Sequence, residues 1–410
     1  MQTFLEQAEF LSEQKNTHMT HIEDKVLYGG VDGTRQAINA LRELRDMLAG
    51  KHKGQVSMKW DGAPAIFAGI DPSDGKFFVA KKGIFNKNPK VYKTKADVDA
   101  DTSGDLNAKM NKALELLPAL GIKGVIQGDF LYGPGDLTKT KIDGVSYVTF
   151  HPNTIVYAVP KEQSADLLKS EIGIVWHTTY TGDSFENMKA SYGVKVSALK
   201  KSNKVWSQDA MMKDATEATL TAADTKRVNS YLMTAGKIFQ KISGSTLRQL
   251  EANQQLAQLI EQFNNTYVRK GAQIKDSRRH TAALQRWMTE KFKKEKAKRT
   301  SEKGKAAQQK KLDELLVFFD KKNTAGLVAM FELQKNIVQA KLLLINKLDD
   351  ISGIDTFVKT RKGYKVTGQE GYVAIDQLGG DAVKLVDRME FSYNNFSPDI
   401  LKGWDQPSRN

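Results

Sequence analysis

The hydrophobic period of this chain changes twice, and that double change limits its architecture more than any other feature. From 55 to 160 the apolar runs are short, β-branched and aromatic: "GQVSMKWDG", "PAIFAGI", "GKFFVAKKG", "GVIQGDFLYG", "GVSYVTFH" and "NTIVYAVP", punctuated by Gly, Pro, Asn and Asp. One helix interrupts them, "LNAKMNKALELLPALG", and the "GDSFENMKASYG" stretch that follows is expected to add another. From about 205 to 350 strand runs vanish. "TLRQLEANQQLAQLIEQFNNTY" sets Leu250, Leu256, Leu259, Ile260 and Phe263 near one helical face, and "AGLVAMFELQKNIVQAKLLLINKL" is a long apolar helix. After 355 the strand signal returns in "DTFVKTRKGYKVTG", "EGYVAID" and "DAVKLVDRMEFS". A β–α–β order of this kind is not the regular alternation of a doubly wound sheet. It predicts an antiparallel α+β fold, with the helical block either inserted in one domain or lying between two β units.

The 410 residues exceed one ordinary core, so two or three domains are expected. The first 50 residues read as a helical segment, with Ile38, Leu41, Leu44, Met47 and Leu48 at helical spacing before Gly50. The glycines of "LYGGVDG" lack the Gly-Lys-Ser/Thr ending of a phosphate loop and read as a turn. No cysteine is present, which excludes thiolate metal sites and disulfides and fits a reducing, cytoplasmic setting. The start of the chain has no secretory pattern and no apolar run reaches membrane-spanning length, so no membrane partner is expected. The net charge of +14 suggests a polyanionic partner. It is concentrated in "KFKKEKAKRTSEKGKAAQQKK", residues 291–311, with ten basic and two acidic side chains. Lys291, Lys293, Lys294, Lys298 and Arg299 are the candidate phosphate-binding residues there. His18 and His21 could share a helix face, but no third ligand lies nearby for zinc.

Within the strand region, "MKWDGAPAIF" places Lys59 among apolar residues, followed by Asp61 and Gly62 in a tight turn. A lysine that acts as a nucleophile must be neutral at least part of the time, which desolvation or neighbouring positive charge favours. The Lys-x-Asp-Gly pattern resembles motif I of the covalent nucleotidyltransferases, the ATP-dependent RNA and DNA ligases and mRNA capping enzymes. Further stretches resemble that family's motifs in the same order. "AKKGIF" is similar to its basic-residue-plus-glycine element, with Lys82 in the matching place. "VIQGDFLYG" is similar to motif III, with Asp129 where the family more often has Glu. "NTIVYAVP" resembles motif IIIa, with Tyr157 as the aromatic of the base pocket and Phe150 as its rival. "EGYVAID" is similar to motif IV and begins with Glu370, and "AVKLVDR" resembles motif V, with Lys384 first. The second basic position of motif V is occupied by Val386, leaving Arg388 as a substitute on the assumption that the strand continues.

The resemblance covers about 55 to 160 and 355 to 395 and is closest in style to bacteriophage RNA ligases. It implies a nucleotidyltransferase domain from 51–204 and 351–410, with residues 205–350 inserted as a basic helical domain whose ends meet on neighbouring strands. The 241 residues between Asp129 and Glu370 are the measure of that insertion. It further implies an ATP-dependent polynucleotide ligase, acting on RNA in preference to DNA, in which Lys59 takes AMP from ATP, passes it to a 5′-phosphate, and a 3′-hydroxyl displaces it. Asp61, Gly62, Lys82, Asp129, Tyr157, Glu370, Lys384 and Arg388 would bind the nucleotide, and Glu370 would act through Mg²⁺. A transferase that modifies another acceptor, or a nonenzymatic nucleic-acid-binding protein with a degenerate site, are the alternatives. Oligomeric state is not fixed by the sequence.

Overall fold

A computed structural model describes residues 20–51, 55–212, 220–375 and 382–403. Among them the fold is mixed α+β, with largely antiparallel sheets and a block of packed helices. His18 and the segment before it lie outside the described residues.

Three sheets are present. A small one joins β1 (Gln55–Lys59), β13 (Gly371–Ile375) and β14 (Ala382–Leu385) in the order β1-β13-β14. A second runs β10 (Val205–Asp209), β8 (Ile172–Thr181), β4 (Val125–Tyr132), β2 (Ala65–Ile70), β3 (Phe77–Ala80), with β9 (Lys189–Tyr192) on β8. The third runs β12 (Gly363–Val366), β11 (Asp355–Thr360), β7 (Ile155–Pro160), β6 (Val145–Phe150), β5 (Thr138–Ile142), with β15 (Ile400–Leu401) on β11. The β10–β8 pair is parallel. The expected helix around "GDSFENMKASYG" is instead a turn and β9. Thr181 pairs with Lys189, so the chain doubles back along β8, and strand pairing overrides local helix propensity.

The helices are α1 (Lys25–Tyr28), α2 (Gly30–Leu48), α3 (Lys95–Asp101), α4 (Gly104–Leu116), α5 (Ala165–Lys169), α6 (Ala222–Lys241), α7 (Gly244–Ala252), α8 (Gln254–Val268), α9 (Ser277–Ala297), α10 (Glu302–Leu316), α11 (Lys321–Asp350) and α12 (Arg388–Phe396). Their starts are set by side chains that accept the free N–H groups of the first turn: Thr221 with Asp224 in a reciprocal box for α6, Asp276 for α9, Ser301 for α10, Asp320 for α11 and Asp387 for α12. No helix among the described residues is long and apolar enough to cross a membrane.

The N-terminal helical segment is not a separate unit. α2 packs on α6, α7 and α11, and α1 on α7 and α8, so both belong to the helical block. One apolar core runs from that block through Leu41, Leu247, Ile260, Phe331 and Leu344 to Val56, Met58, Tyr372 and Leu385 of the small sheet. A second core lies between α4 and the β2–β4–β8 sheet, with Met110, Leu117, Ile126, Phe130 and Trp176. The ends of the helical block also differ from expectation. The chain leaves β10 along β1, where Met212 N–H donates to the Val56 carbonyl at 2.8 Å, and returns as β11, which pairs with β7 in another sheet. β10 and β11 are therefore not neighbours.

Buried charge locks the helical block to the end of β14. Lys341 of α11 donates to both carboxylate oxygens of Glu23 at 2.9 Å, and both residues are buried. Arg388, the first residue of α12, donates to Asp24 at 2.7 Å and to Asn265 of α8. Burial opposes ionisation of Glu23, yet Lys341 and Arg388 hold its carboxyl below the usual range. Removing one partner of such a network strands the other charge out of water. Lys341→Met is expected to lower unfolding free energy by about 3–5 kcal/mol, read from the urea midpoint; a loss under about 1 kcal/mol would show that Glu23 is satisfied without Lys341.

Candidate active site

The small sheet is two-sided. Side chains alternate along each strand and directly paired residues share a face. Val56 and Met58 of β1, Tyr372 and Ala374 of β13, and Val383 and Leu385 of β14 form one face, all buried against the core that continues into the helical block. Lys59 and Lys384 therefore fall on the opposite face. Lys59 pairs with Gly371, while Ser57, Val373 and Lys384 form one row across the three strands. The alternation that buries Met58 is what turns the Lys59 amine outward, and its side chain keeps 36% of its surface exposed.

Glu370 immediately precedes β13 and its carboxylate accepts from the Lys59 ammonium. Burial pushes the Glu370 carboxyl up to about 7, with Lys59 and Lys384 pulling against it and Asp61 adding to it. Burial also lowers Lys384, and the neighbouring charge of Lys59 lowers it further. The two lysines and the glutamate thus share one electrostatic environment. The glycine after Glu370 has a steric reason: a Cβ on Gly371 would stand 2.5 Å from Val386 Cγ2 and 2.7 Å from the Leu385 carbonyl oxygen.

The turn after Lys59 rests on β4 and β7. A Cβ on Gly62 would meet Asp129 Cβ at 2.6 Å and the Phe130 carbonyl at 2.8 Å, so glycine lets the turn lie directly on Asp129. Ala63 N–H donates to the Phe130 carbonyl at 2.9 Å. Asp61 is turned to the protein itself. Its buried carboxylate accepts from Asn153 Nδ2 at 2.7 Å, Thr154 N–H at 2.6 Å and Ile155 N–H at 2.8 Å, tying the turn to the start of β7. Burial raises its pKa although these bonds favour the anion.

Tyr157 corrects a second expectation. It is 0% exposed, so its ring offers no face to a base. It lies between Trp60, at 4.7 Å between ring centres, and Phe150, at 5.4 Å, and its hydroxyl accepts from Asp61 N–H at 2.6 Å. Phe150 is equally buried. Both aromatics support the lysine turn from beneath. Burial first, then the carboxylates of Asp61, Glu370 and Asp129, raise Tyr157 well above the ordinary phenol range, which brings Asp129 into the same neighbourhood.

Arg388 is corrected as well. The strand ends at Leu385 and Asp387 caps α12, so Arg388 starts a helix and turns to Asp24, Asn265 and Glu23. It is not a spare phosphate ligand. Lys82 stands exposed on the 3-10 turn Lys82–Phe85 after β3; its neighbour Lys81 is the one paired with Asp101, at 2.9 Å. Of the basic run, Lys293, Lys294, Lys298 and Arg299 are exposed. Lys291 is half-buried, 3.4 Å from Glu295 and over the Trp287 ring.

The sequence reading missed His177. It is the extra residue of a bulge in β8, where Gln127 pairs with Thr178 but Gly128 pairs with Trp176. Its Nε2 lies 3.5 Å from Asp129 Oδ2 and its Nδ1 2.7 Å from Thr178 Oγ1. The β-branched and aromatic run "IGIVWHTTYT" was the available signal for this strand.

Lys59, Glu370 and Lys384, from three separate stretches, share one environment, and Asp129 stands against Gly62 of the same turn. For a metal, Glu370 is the suitable donor. Mg²⁺ is commonly held by one or two carboxylates together with substrate phosphates, and a single carboxylate fits that mode. The described residues contain no cluster of three or more His, Asp or Glu side chains arranged as a closed cage. A family model described as a family of unknown function (DUF6267) matches residues 16–399, and the chain belongs to that family. No curated protein and no solved structure matches it.

The raised Glu370 carboxyl has a sign that can be measured. A carboxyl raised from 4.5 to about 7 on folding stabilises the fold below pH 4.5 and loses that contribution as pH rises through 7. Ionised Glu370 is thus a local strain, on the order of 3 kcal/mol at pH 8. Relative to the unaltered protein, Glu370→Gln is expected to gain about 2–3 kcal/mol in unfolding free energy between pH 4.5 and pH 8. Equal urea midpoints for the pair at both pH values would contradict the shift.

Proposed function

We propose that this protein is an ATP-dependent covalent nucleotidyltransferase, with Lys59 as nucleophile, and that it seals polynucleotide ends, RNA in preference to DNA. The observation that carries this reading is the contact between Lys59 and Glu370 beside Lys384. An amine held by a half-neutral carboxylate next to a second, partly desolvated amine suits attack on a phosphate.

In this reading the Lys59 amine attacks the α-phosphorus of ATP. A nitrogen–phosphorus bond forms, the bond to the bridging oxygen breaks, and pyrophosphate departs. The proton of Lys59 leaves through Glu370, the acidic group in contact with it. Lys384 neutralises charge on the α-phosphate, and Asp129 accepts from the ribose hydroxyls. Glu370 would hold a Mg²⁺ ion, whose chemistry would be to neutralise charge on the triphosphate. Asp61, Tyr157 and Trp60 hold the lysine turn rigid and touch no substrate. A 5′-phosphate end then takes the AMP from Lys59, and a 3′-hydroxyl displaces AMP in forming the phosphodiester. The exposed lysines at the end of α9 contribute attraction to the polynucleotide backbone. A cytoplasmic setting fits the reading.

Incubation with α-labelled ATP and Mg²⁺ tests it. Label is expected to remain on the denatured protein and to be lost in Lys59→Ala and Lys59→Arg, with Glu370→Gln reduced by about 100-fold or more. Absence of label removes every covalent-transfer reading. Label without joining of nicked or single-stranded RNA or DNA identifies a transferase with another acceptor.

A further inference from the structure

The β11–β12 hairpin and α12 form a surface that the proposed chemistry does not use. β12 is an edge strand, and its hairpin carries Arg361, Lys362 and Lys365, all exposed. Among the described residues no ion pair holds these three. Cations on a sheet edge have a simple explanation, since they discourage pairing with another strand. The neighbouring aromatics do not fit that explanation. Tyr393 and Phe396, one turn apart on α12, are 46% and 72% exposed, and Lys365 Nζ lies 5.2 Å from the Tyr393 ring centre. Exposed large apolar rings beside unpaired cations are the composition of a surface that stacks bases and tracks phosphates.

Hydrogen bonds tie the surface to the segment that ends at Glu370. Glu390 of α12 accepts from Thr367 Oγ1 at 2.8 Å and from Gly368 N–H at 3.1 Å, and Asn394 donates to Thr367 Oγ1 at 2.7 Å. These bonds fix the helix carrying Tyr393 and Phe396 to the segment that runs from Lys365 to Glu370. Glu370 lies five positions after Lys365, at most roughly 17 Å of extended chain, or a few nucleotides of single strand. Asp143, Asp349, Asp350 and Asp355 line the adjoining cavity, where Asp349 accepts from Tyr372 at 2.6 Å, Asp355 accepts from Tyr147 at 2.8 Å and Asp350 lies 3.5 Å from Lys347.

We propose, resting on the adenylyl-transfer reading above, that the β11–β12 hairpin and α12 bind single-stranded nucleic acid and deliver its end to Lys59. Tyr393 and Phe396 stack on bases, and Arg361, Lys362 and Lys365 contact phosphates. The charge and the free rings together select a single strand over a duplex, whose bases are already stacked.

The test measures affinity of the full chain for a labelled oligouridylate and for a labelled RNA duplex, at two salt concentrations. Y393A combined with F396A is expected to weaken oligouridylate binding by about tenfold or more and to leave the duplex within about twofold. R361Q, K362Q and K365Q together are expected to flatten the salt dependence for the single strand. Y393F is expected to bind as the unaltered protein does, and all variants sit at exposed positions, so circular dichroism should be unchanged. Unchanged oligouridylate affinity overturns the proposal, as does an equal loss for the duplex or displacement of RNA by polyglutamate at equal charge. Lys59 labelling is scored in parallel. Label with unaltered strand binding in Y393A/F396A overturns this surface and leaves the transferase reading standing. Strand binding lost in that variant without any label on the unaltered protein supports the surface and removes the transferase reading.

Discussion

The pairing of Lys59 with Gly371 across β1 and β13 is the constraint on which the site depends. These residues are 312 positions apart, and their register decides which side chains face the core and which face out. A slip of one residue would exchange the faces, burying Lys59 and exposing Met58. The apolar face of Val56, Met58, Tyr372 and Leu385 prevents this, because it completes a core shared with the helical block. The helices therefore hold a register as well as a shape. Gly371 contributes sterically, since any side chain there would collide with Val386 and the Leu385 carbonyl.

The buried charges extend that argument. Glu23, Asp24, Lys341, Arg388 and Asn265 join the chain before α1, α8 and α11 to the first residue of α12, just beyond β14. A hydrophobic contact would tolerate sliding, whereas paired buried charges have one arrangement of low energy. His21 also forms a bridge to Lys384 itself. The position of Lys384 thus depends on the helical block through backbone contact with His21 and through the Arg388 network just beyond the strand.

Much of this was legible in the sequence. The runs at β1 to β4, β6, β7 and β11 to β14 are short, β-branched and aromatic between turn residues, and α4, α8 and α11 carry helical spacing. Lys59, Glu370 and Lys384 could be singled out because the stretches around them resemble motifs of one family in the same order, and the structure brings these three together. Other features depend on tertiary contact and leave no local trace. Arg388 reads as strand until Asp387 is seen to cap a helix. Tyr157 has the same letter whether it lines a pocket or lies under one; only its place between Trp60 and Phe150 decides. Asp61 looks like a site carboxylate but serves three donors of the β7 entry. The membership of α1 and α2 in the helical block required contacts with helices more than 170 residues away. His177 was hidden in a strand that the period reading had not separated from its surroundings.

The central claim is that Lys59, Glu370, Lys384 and Asp129 surround one nucleotide. A crystal structure with Mg²⁺ and an ATP analogue whose α,β-bridging oxygen is replaced by methylene tests it most directly. The account predicts the α-phosphate within hydrogen-bond distance of Lys59 and Lys384, the metal against Glu370, and the ribose beside Asp129. A nucleotide bound away from the Lys59 turn, with the Lys59–Glu370 contact undisturbed, would contradict it.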